Sequence, residues 1–338
     1  MPFKQTDDQF IGGSFTWFTG VVEDRNDPLK MGRVRVRCFG YHTEEKALIK
    51  TEDLPWATVL MPTVSASVSG YGNSPHALYP GSWVVGFFRD GISAQDPIVL
   101  GSIASKFEEQ PKKTKGFADP NGVYPKYINE PDVNRRARVR DADEEDADKG
   151  ILHHPWVKAK QDAQTKDVPV ANGASDQWTE LLIENKVTYP YNKVMETETG
   201  HMVEFDDTFG NRRIMEKHAS GTFYEIDSDG NKVTRIVSDQ YEIVSGDNFV
   251  NIKGNCHVTI DSNCTTYIKG NWDIQVDGNV NTHIKGNVTE TVNGNVTEKY
   301  DSNQTTTVAN NVTETFGGNQ RTKISGNLDV DASRIDLN

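Results

Sequence analysis

The side chains of this chain that could do chemistry fall into four small groups. Glu290, Glu298 and Glu314 recur at multiples of eight residues. On a narrow rod without loops they have no cleft in which to cut a polysaccharide and read as residues at the prism edge in water; pointing inward in an assembly they would instead form carboxylate rings suited to a cation. Asp143, Glu144, Glu145 and Asp146 are consecutive, and a glycosidase needs two carboxyls held a fixed distance apart across a rigid cleft, which such a run cannot supply. Arg33, Arg35 and Arg37, with Trp17, Phe18 and Trp56 nearby, could offer charge and stacking to a single-stranded nucleic acid; the plainer reading is the solvated or partner-facing side of a strand. His153 and His154 are adjacent rather than spaced for one metal, and read as a surface pair. No HExxH, P-loop or GxSxG elbow occurs. The expectation is therefore no catalytic residue, no cofactor-binding residue, no metal ligand and no cofactor.

Three cysteines, Cys38, Cys256 and Cys264, are too few for a disulfide framework or a four-ligand zinc site, and read as small buried residues. Cys256 and Cys264 hold equivalent places in consecutive repeat units, so they are expected in register in successive layers, with redox or metal use as the alternative. The net charge of −13 argues against nucleic acid as the main ligand. No apolar run approaches a membrane span, and MPFKQTDDQF lacks the apolar region of a signal peptide, so assembly in the cytoplasm is expected.

The elements that must carry these residues are dominated by an eight-residue repeat. A small turn residue followed by Asn or Asp recurs at Gly246-Asp247, Gly254-Asn255, Ser262-Asn263, Gly270-Asn271, Gly278-Asn279, Gly286-Asn287, Gly294-Asn295, Ser302-Asn303, Asn310-Asn311, Gly318-Asn319 and Gly326-Asn327. Two residues before each mark stands an apolar side chain: Val244, Ile252, Ile260, Ile268, Val276, Ile284, Val292, Tyr300, Val308, Phe316 and Ile324. Positions between them, such as Thr259, Asp261, Lys269 and Thr289, are mostly polar, so each octad reads as a short half-buried strand followed by a corner. One narrow apolar face needs stacked neighbours, from the next coil of the same chain or from other chains. Three octads per coil in one chain would make a stub under ~20 Å, whereas three chains wound together would make a rod of roughly 50 Å without lateral sheet edges.

The remainder divides by composition. Residues 1–105 are expected to form an OB-fold domain, with strands over Met31–Phe39, Trp56–Met61, Trp83–Phe88 and Pro97–Gly101 between the turn signals Asp27-Pro28, Tyr79-Pro80-Gly81 and Arg89-Asp90-Gly91. Residues 106–188 carry Pro111, Pro120, Pro125, Pro131, Pro155 and Pro169, and a block in which Arg135, Arg136, Arg138 and Arg140 are answered by Asp141 through Asp148. This reads as an extended linker winding over other surfaces, with an amphipathic piece around Trp178–Ile183 that docks. Residues 189–229 are expected to be lead-in strands, and residues 230–338 the repeat, because Gly230-Asn231 and Ser238-Asp239 already lie in register. The fold class is all-β.

Two segments, with the octads, resemble a known family. Trp17 through Arg25, Asp27 through Arg37 and Leu54-Pro55-Trp56 resemble the N-terminal OB domain of the contractile-phage baseplate central spike, the T4-like tail lysozyme family. Tyr189 through Val194, Gly200 through Thr208 and Ser220 through Ile226 resemble the lead-in to the spike helix there and in the VgrG spikes of type VI secretion. The resemblance implies a homotrimer in the tail baseplate of the virion. Its OB domains would meet a ring-shaped baseplate hub protein, its intertwined triple-stranded β-helix would pierce the host outer membrane, and a PAAR-type tip protein would cap the C-terminal end. Residues 328–338 contain no His, so a separate cap rather than a self-made metal tip is expected. The family's lysozyme domain lies between barrel and needle, where this chain has only its Pro-rich segment, so a structural spike without lysozyme activity is expected. The alternatives are a VgrG-like spike and a β-helical polysaccharide-degrading tailspike; an adhesin suggested by Asn287-Val288-Thr289 lacks a secretion signal.

Overall fold

The computed structural model describes residues 16–74, 78–138, 154–171 and 177–336. The N-terminal decapeptide, Arg140, the acidic run from Asp141 to Asp148 and His153 lie outside the described residues. The chain divides into two compact units, Met1–Tyr267 and Ile268–Asn338.

In the first unit a closed barrel is built from β1 (Thr16–Asp24), β2 (Val34–Cys38), β3 (Trp56–Val59), β4 (Trp83–Phe88) and β5 (Pro97–Ser102), in the order β1-β2-β3-β5-β4. The β3–β5 pairing is parallel and the others antiparallel. Period-two alternation turns one face of each strand inward, and Phe18, Val22, Val34, Val36, Cys38, Ala57, Val84, Phe88 and Val99 make the core. Burial pushes the Cys38 thiol up to about 12, which keeps it protonated and unreactive. Close strand approach fixes Gly86 in β4: a Cβ there would lie 2.1 Å from the Ile98 carbonyl oxygen and 2.6 Å from the Phe18 ring.

The β1–β2 loop is organised by one carboxylate. Asp27 accepts from the backbone N–H groups of Leu29 (3.0 Å), Met31 (2.9 Å) and Arg33 (3.2 Å), and from Arg33 Nη2 at 2.7 Å. The Arg33 hydrogen bond chiefly holds the Asp27 carboxyl well below the usual carboxylate range; burial opposes the shift and the backbone donors add to it.

A second sheet is an antiparallel meander of β8 (Asn192–Glu196), β9 (Met202–Asp206), β10 (Arg213–Lys217), β11 (Phe223–Ile226) and β12 (Lys232–Arg235). Its turns place Gly200, Gly210, Gly221 and Gly230 at positive φ, where a Cβ would be strained. The mark Gly230-Asn231 is thus the β11–β12 turn, so the first segment in octad register still pairs within its own chain.

The stretch before the meander contributes α1 (Arg135–Arg138), α2 (Pro155–Asp162) and a small hairpin of β6 (Val168–Pro169) and β7 (Gln177–Trp178). His154 caps α2: its Nδ1 accepts from Trp156 N at 3.1 Å and its Nε2 lies 2.8 Å from Glu196 Oε1. It is a half-buried structural residue, not the surface histidine expected, because Pro155 starts a helix that the sheet covers. Trp156 of α2 packs with Met202, Met215 and Phe223. Ile183 is buried and Glu180 pairs with Arg235 of β12, so part of the Trp178–Ile183 piece does dock, on the sheet of its own chain.

Candidate functional site

The octads form an evenly bent, extended run. Backbone bends fall at residues 245–246, 253–254, 261–262, 269–270, 277–278, 285–286, 293–294, 301–302, 309–310, 317–318 and 325–326, one at every mark. Between bends the described residues form no strand pairing, and no backbone-to-backbone hydrogen bond joins any of them beyond the β11–β12 turn. Peptide groups of extended strands are obligatory donors and acceptors, so this geometry satisfies them only through water or another chain. The described residues of a single chain therefore do not themselves show the triple-stranded β-helix expected from the sequence.

The apolar face is also open. The invariant apolar position is consistently the better covered one, from 44% exposed at Ile268 and Ile324 to 55% at Tyr300, while Val280, four residues before Ile284, is 71% exposed. Residues of the same parity are often apolar as well, as at Trp272, Val288, Val296, Val312 and Leu328. That side carries an apolar residue in every straight segment, with Glu290, Glu298, Gln304, Glu314 and Gln320 also falling on it, and it lies uncovered in the single chain. Cys256 and Cys264, expected to be buried, are exposed for the same reason: nothing in one chain covers that side. Glu290, Glu298 and Glu314 are exposed too, and Glu298 accepts from the Tyr300 hydroxyl at 3.3 Å.

Arg33, Arg35 and Arg37, at and just before β2, are each engaged within the chain. Arg37 is fully buried and forks onto Glu23, with Nε 2.7 Å from Oε1 and Nη2 3.1 Å from Oε2, and it also donates to the carbonyls of Thr43 and Ile49 at 2.8 Å each. Arg33 is taken by Asp27, and Arg35 donates to the Leu54 carbonyl at 2.6 Å while lying over the Trp56 ring. Phe18 is a core residue, and Trp17 stands edge-on to Phe87. The expected solvated face is wrong for Arg37, because the loops around Thr43, Ile49 and Gly116 fold over it. A cleft of about 570 Å³ at the β1–β2 loop is lined by Arg25, Asp27, Lys30 and Arg33, but Arg25 is paired with Glu198 and Arg33 with Asp27.

Sequence reasoning missed a buried ionic network on the inner face of the meander. Glu204 is held by Arg136 (Nη2–Oε1 3.0 Å), Arg213 and Asn192 (Nδ2–Oε1 2.6 Å). Arg213 also donates to Glu225 at 2.7 Å, and Glu225 accepts from Lys160 Nζ at 3.0 Å. Burial pushes the Glu204 carboxyl up, but Arg136 and Arg213, helped by Asn192, overcompensate and leave it below its ordinary value. Burial likewise lowers Lys160, against the pull of Glu225. The trace in the sequence is slight: Glu204 and Asp206 stand two apart in β9, and Arg213 shares its alternating face of β10 with the apolar Met215. The network joins α1 and α2 to the sheet, so the segment before the meander is pinned to it by charge.

The order and pairing of the barrel define an OB-type β protein, and residues 40–180 match the Gp5 N-terminal OB domain family. That match takes in β3 to β5 and the stretch that follows the barrel. Protein Gp5 of Vibrio phage KVP40 is 39% identical over 281 residues, covering 76% of this chain and 66% of that protein. Pre-baseplate central spike protein Gp5 of Enterobacteria phage T4 is 43% identical over 125 residues, covering 36% of this chain and 22% of that protein. The chain is thus similar to two phage proteins, one of them named as a pre-baseplate central spike protein, and these comparisons support a place in the tail baseplate of a virion. It spans just under two thirds of the Vibrio phage protein and less than a quarter of the T4 protein.

Proposed function

We propose that three copies of this chain wind their octads into a rigid needle that punctures the host outer envelope when the tail sheath contracts, as a structural spike with no lysozyme activity of its own. The observation that carries the reading is the octad run itself: evenly bent, extended, apolar on one side and unpaired within the chain. Identical octads from two other copies supply both missing items, backbone partners at strand spacing and cover for the apolar side. A threefold arrangement closes the sheet edges, and the interlocked ladders must shear together under load. The OB barrel is then the end that meets a baseplate hub, and a small tip protein caps the other. Both relatives come from phages, which favours a baseplate spike over a secretion spike. The test is the native mass by light scattering: roughly three times 37.7 kDa is expected, and a single-chain mass would overturn the needle. Release of sugar from peptidoglycan by the purified chain would overturn the structural assignment.

A further inference from the structure

The proposed winding makes a definite demand on two residues. Cys256 and Cys264 each stand two residues after a bend, at Gly254 and Ser262, on the side that Ile260 and Ile268 share with them in the same straight segments. Within one chain they cannot meet: Cys256 is followed by roughly 16 Å of extended chain before the next bend, far beyond the ~7 Å Cα limit for a disulfide. Around a threefold axis the outcome differs. A chain that turns a corner moves onto the face its neighbour has just left, one strand spacing further along. Equivalent octad positions of two chains then stack at roughly 4.8 Å, inside the Cα window of about 4.4–6.8 Å that a disulfide spans.

We propose that Cys264 of each chain stacks on the neighbouring chain's Cys256, so that three thiol pairs form a ring of redox-closable clamps joining all three chains near the start of the needle. The inference rests on the three-chain reading and adds a register to it. Each bridge forms by loss of two protons and two electrons from a pair of thiols to a disulfide oxidant such as oxidised glutathione. Three equivalent bridges link all the chains into a covalent trimer. Cys38 takes no part, because it is buried in the barrel core.

The test is to produce the full chain in a bacterial host with an oxidising cytoplasm, so that the thiols meet oxidant while the strands close. The product is read by light scattering and on a denaturing gel without reductant. The expected result is a trimer by scattering that runs at three chain masses on the gel and collapses to one with reductant. Cys256→Ser and Cys264→Ser, each alone, should still assemble as trimers but lose the covalent species entirely. A scattering trimer that runs as single chains overturns the register and leaves the needle standing. Covalent dimers in either single variant would mean that equivalent cysteines meet at the axis, and would also overturn it. A single-chain mass by scattering overturns the needle and the clamp together.

Discussion

Glu23 on β1 and Arg37 on β2 form a fully buried two-point ion pair, with nitrogen–oxygen distances of 2.7 and 3.1 Å. Thr51 Oγ1 also donates to Glu23 at 2.8 Å, Lys46 Nζ lies 3.9 Å from Glu23 Oε1, and the carbonyls of Thr43 and Ile49 each accept one further guanidinium proton. The pair ties the loop after β2 to the barrel wall. Removing one partner leaves an uncompensated buried charge. Glu23→Gln or Arg37→Met should therefore cost about 3–5 kcal/mol, read as a lowered denaturation midpoint of the barrel. A double Glu23→Leu, Arg37→Met variant should recover part of that loss, and a double variant worse than the sum of the singles would contradict the account.

Arg213 is the shared cation between Glu204 and Glu225, so its loss sets two buried carboxylates against each other. Arg213→Met should destabilise the meander by at least ~3 kcal/mol and release α2, because Glu225 also holds Lys160. Hydrogen exchange is the appropriate readout. Protection should fall across residues 192–235 and 155–162 together while the barrel strands keep theirs; loss confined to β10 would show that the network is not the tie.

The pH response follows from Asp27. Its folded-state carboxyl is held below the unfolded value of about 3.9, so its contribution to stability is complete above that value. The contribution is lost as pH falls from there through the depressed folded value. Asp27→Asn should lower stability at neutral pH and flatten the acid limb, measured as urea midpoints between about pH 5 and pH 2. An unchanged acid limb in the variant would place the acid sensitivity elsewhere.

Much of the fold is legible in the sequence, and the reasons are local. Strands such as Val34–Cys38 and Trp83–Phe88 announce themselves by alternation between turn residues, and the octad bends fall at the Gly-Asn and Ser-Asn marks. What stayed hidden is non-local. Alternating Arg33, Arg35 and Arg37 look like a solvated face until the chain around Gly116 closes over Arg37, where a Cβ would lie 2.3 Å from its Cδ. The same holds for Glu204 and Arg213, whose burial depends on Arg136 and Lys160 arriving from far upstream. For the octads the described residues of one chain supply no cover, so the period is readable while whatever covers Cys256 and Ile284 is not.

The parity of the octads gives the sharpest contrast between two neighbouring positions. Ile284 holds the invariant apolar place, and in a threefold needle its side chain is buried three times over, at about 1.5–3 kcal/mol per copy. Thr289, of opposite parity in the next octad, faces water in the same arrangement. Ile284→Asp should bring three carboxylates into the apolar interior and shift the native mass toward a single chain at micromolar concentration, with the barrel still folded by its unfolding transition. Thr289→Asp adds the same charge outside and should leave the trimer mass and its midpoint unchanged within about 0.5 kcal/mol. Equal sensitivity at both positions would mean that the straight segments do not present one face inward, and would remove the basis for a strand-and-corner needle.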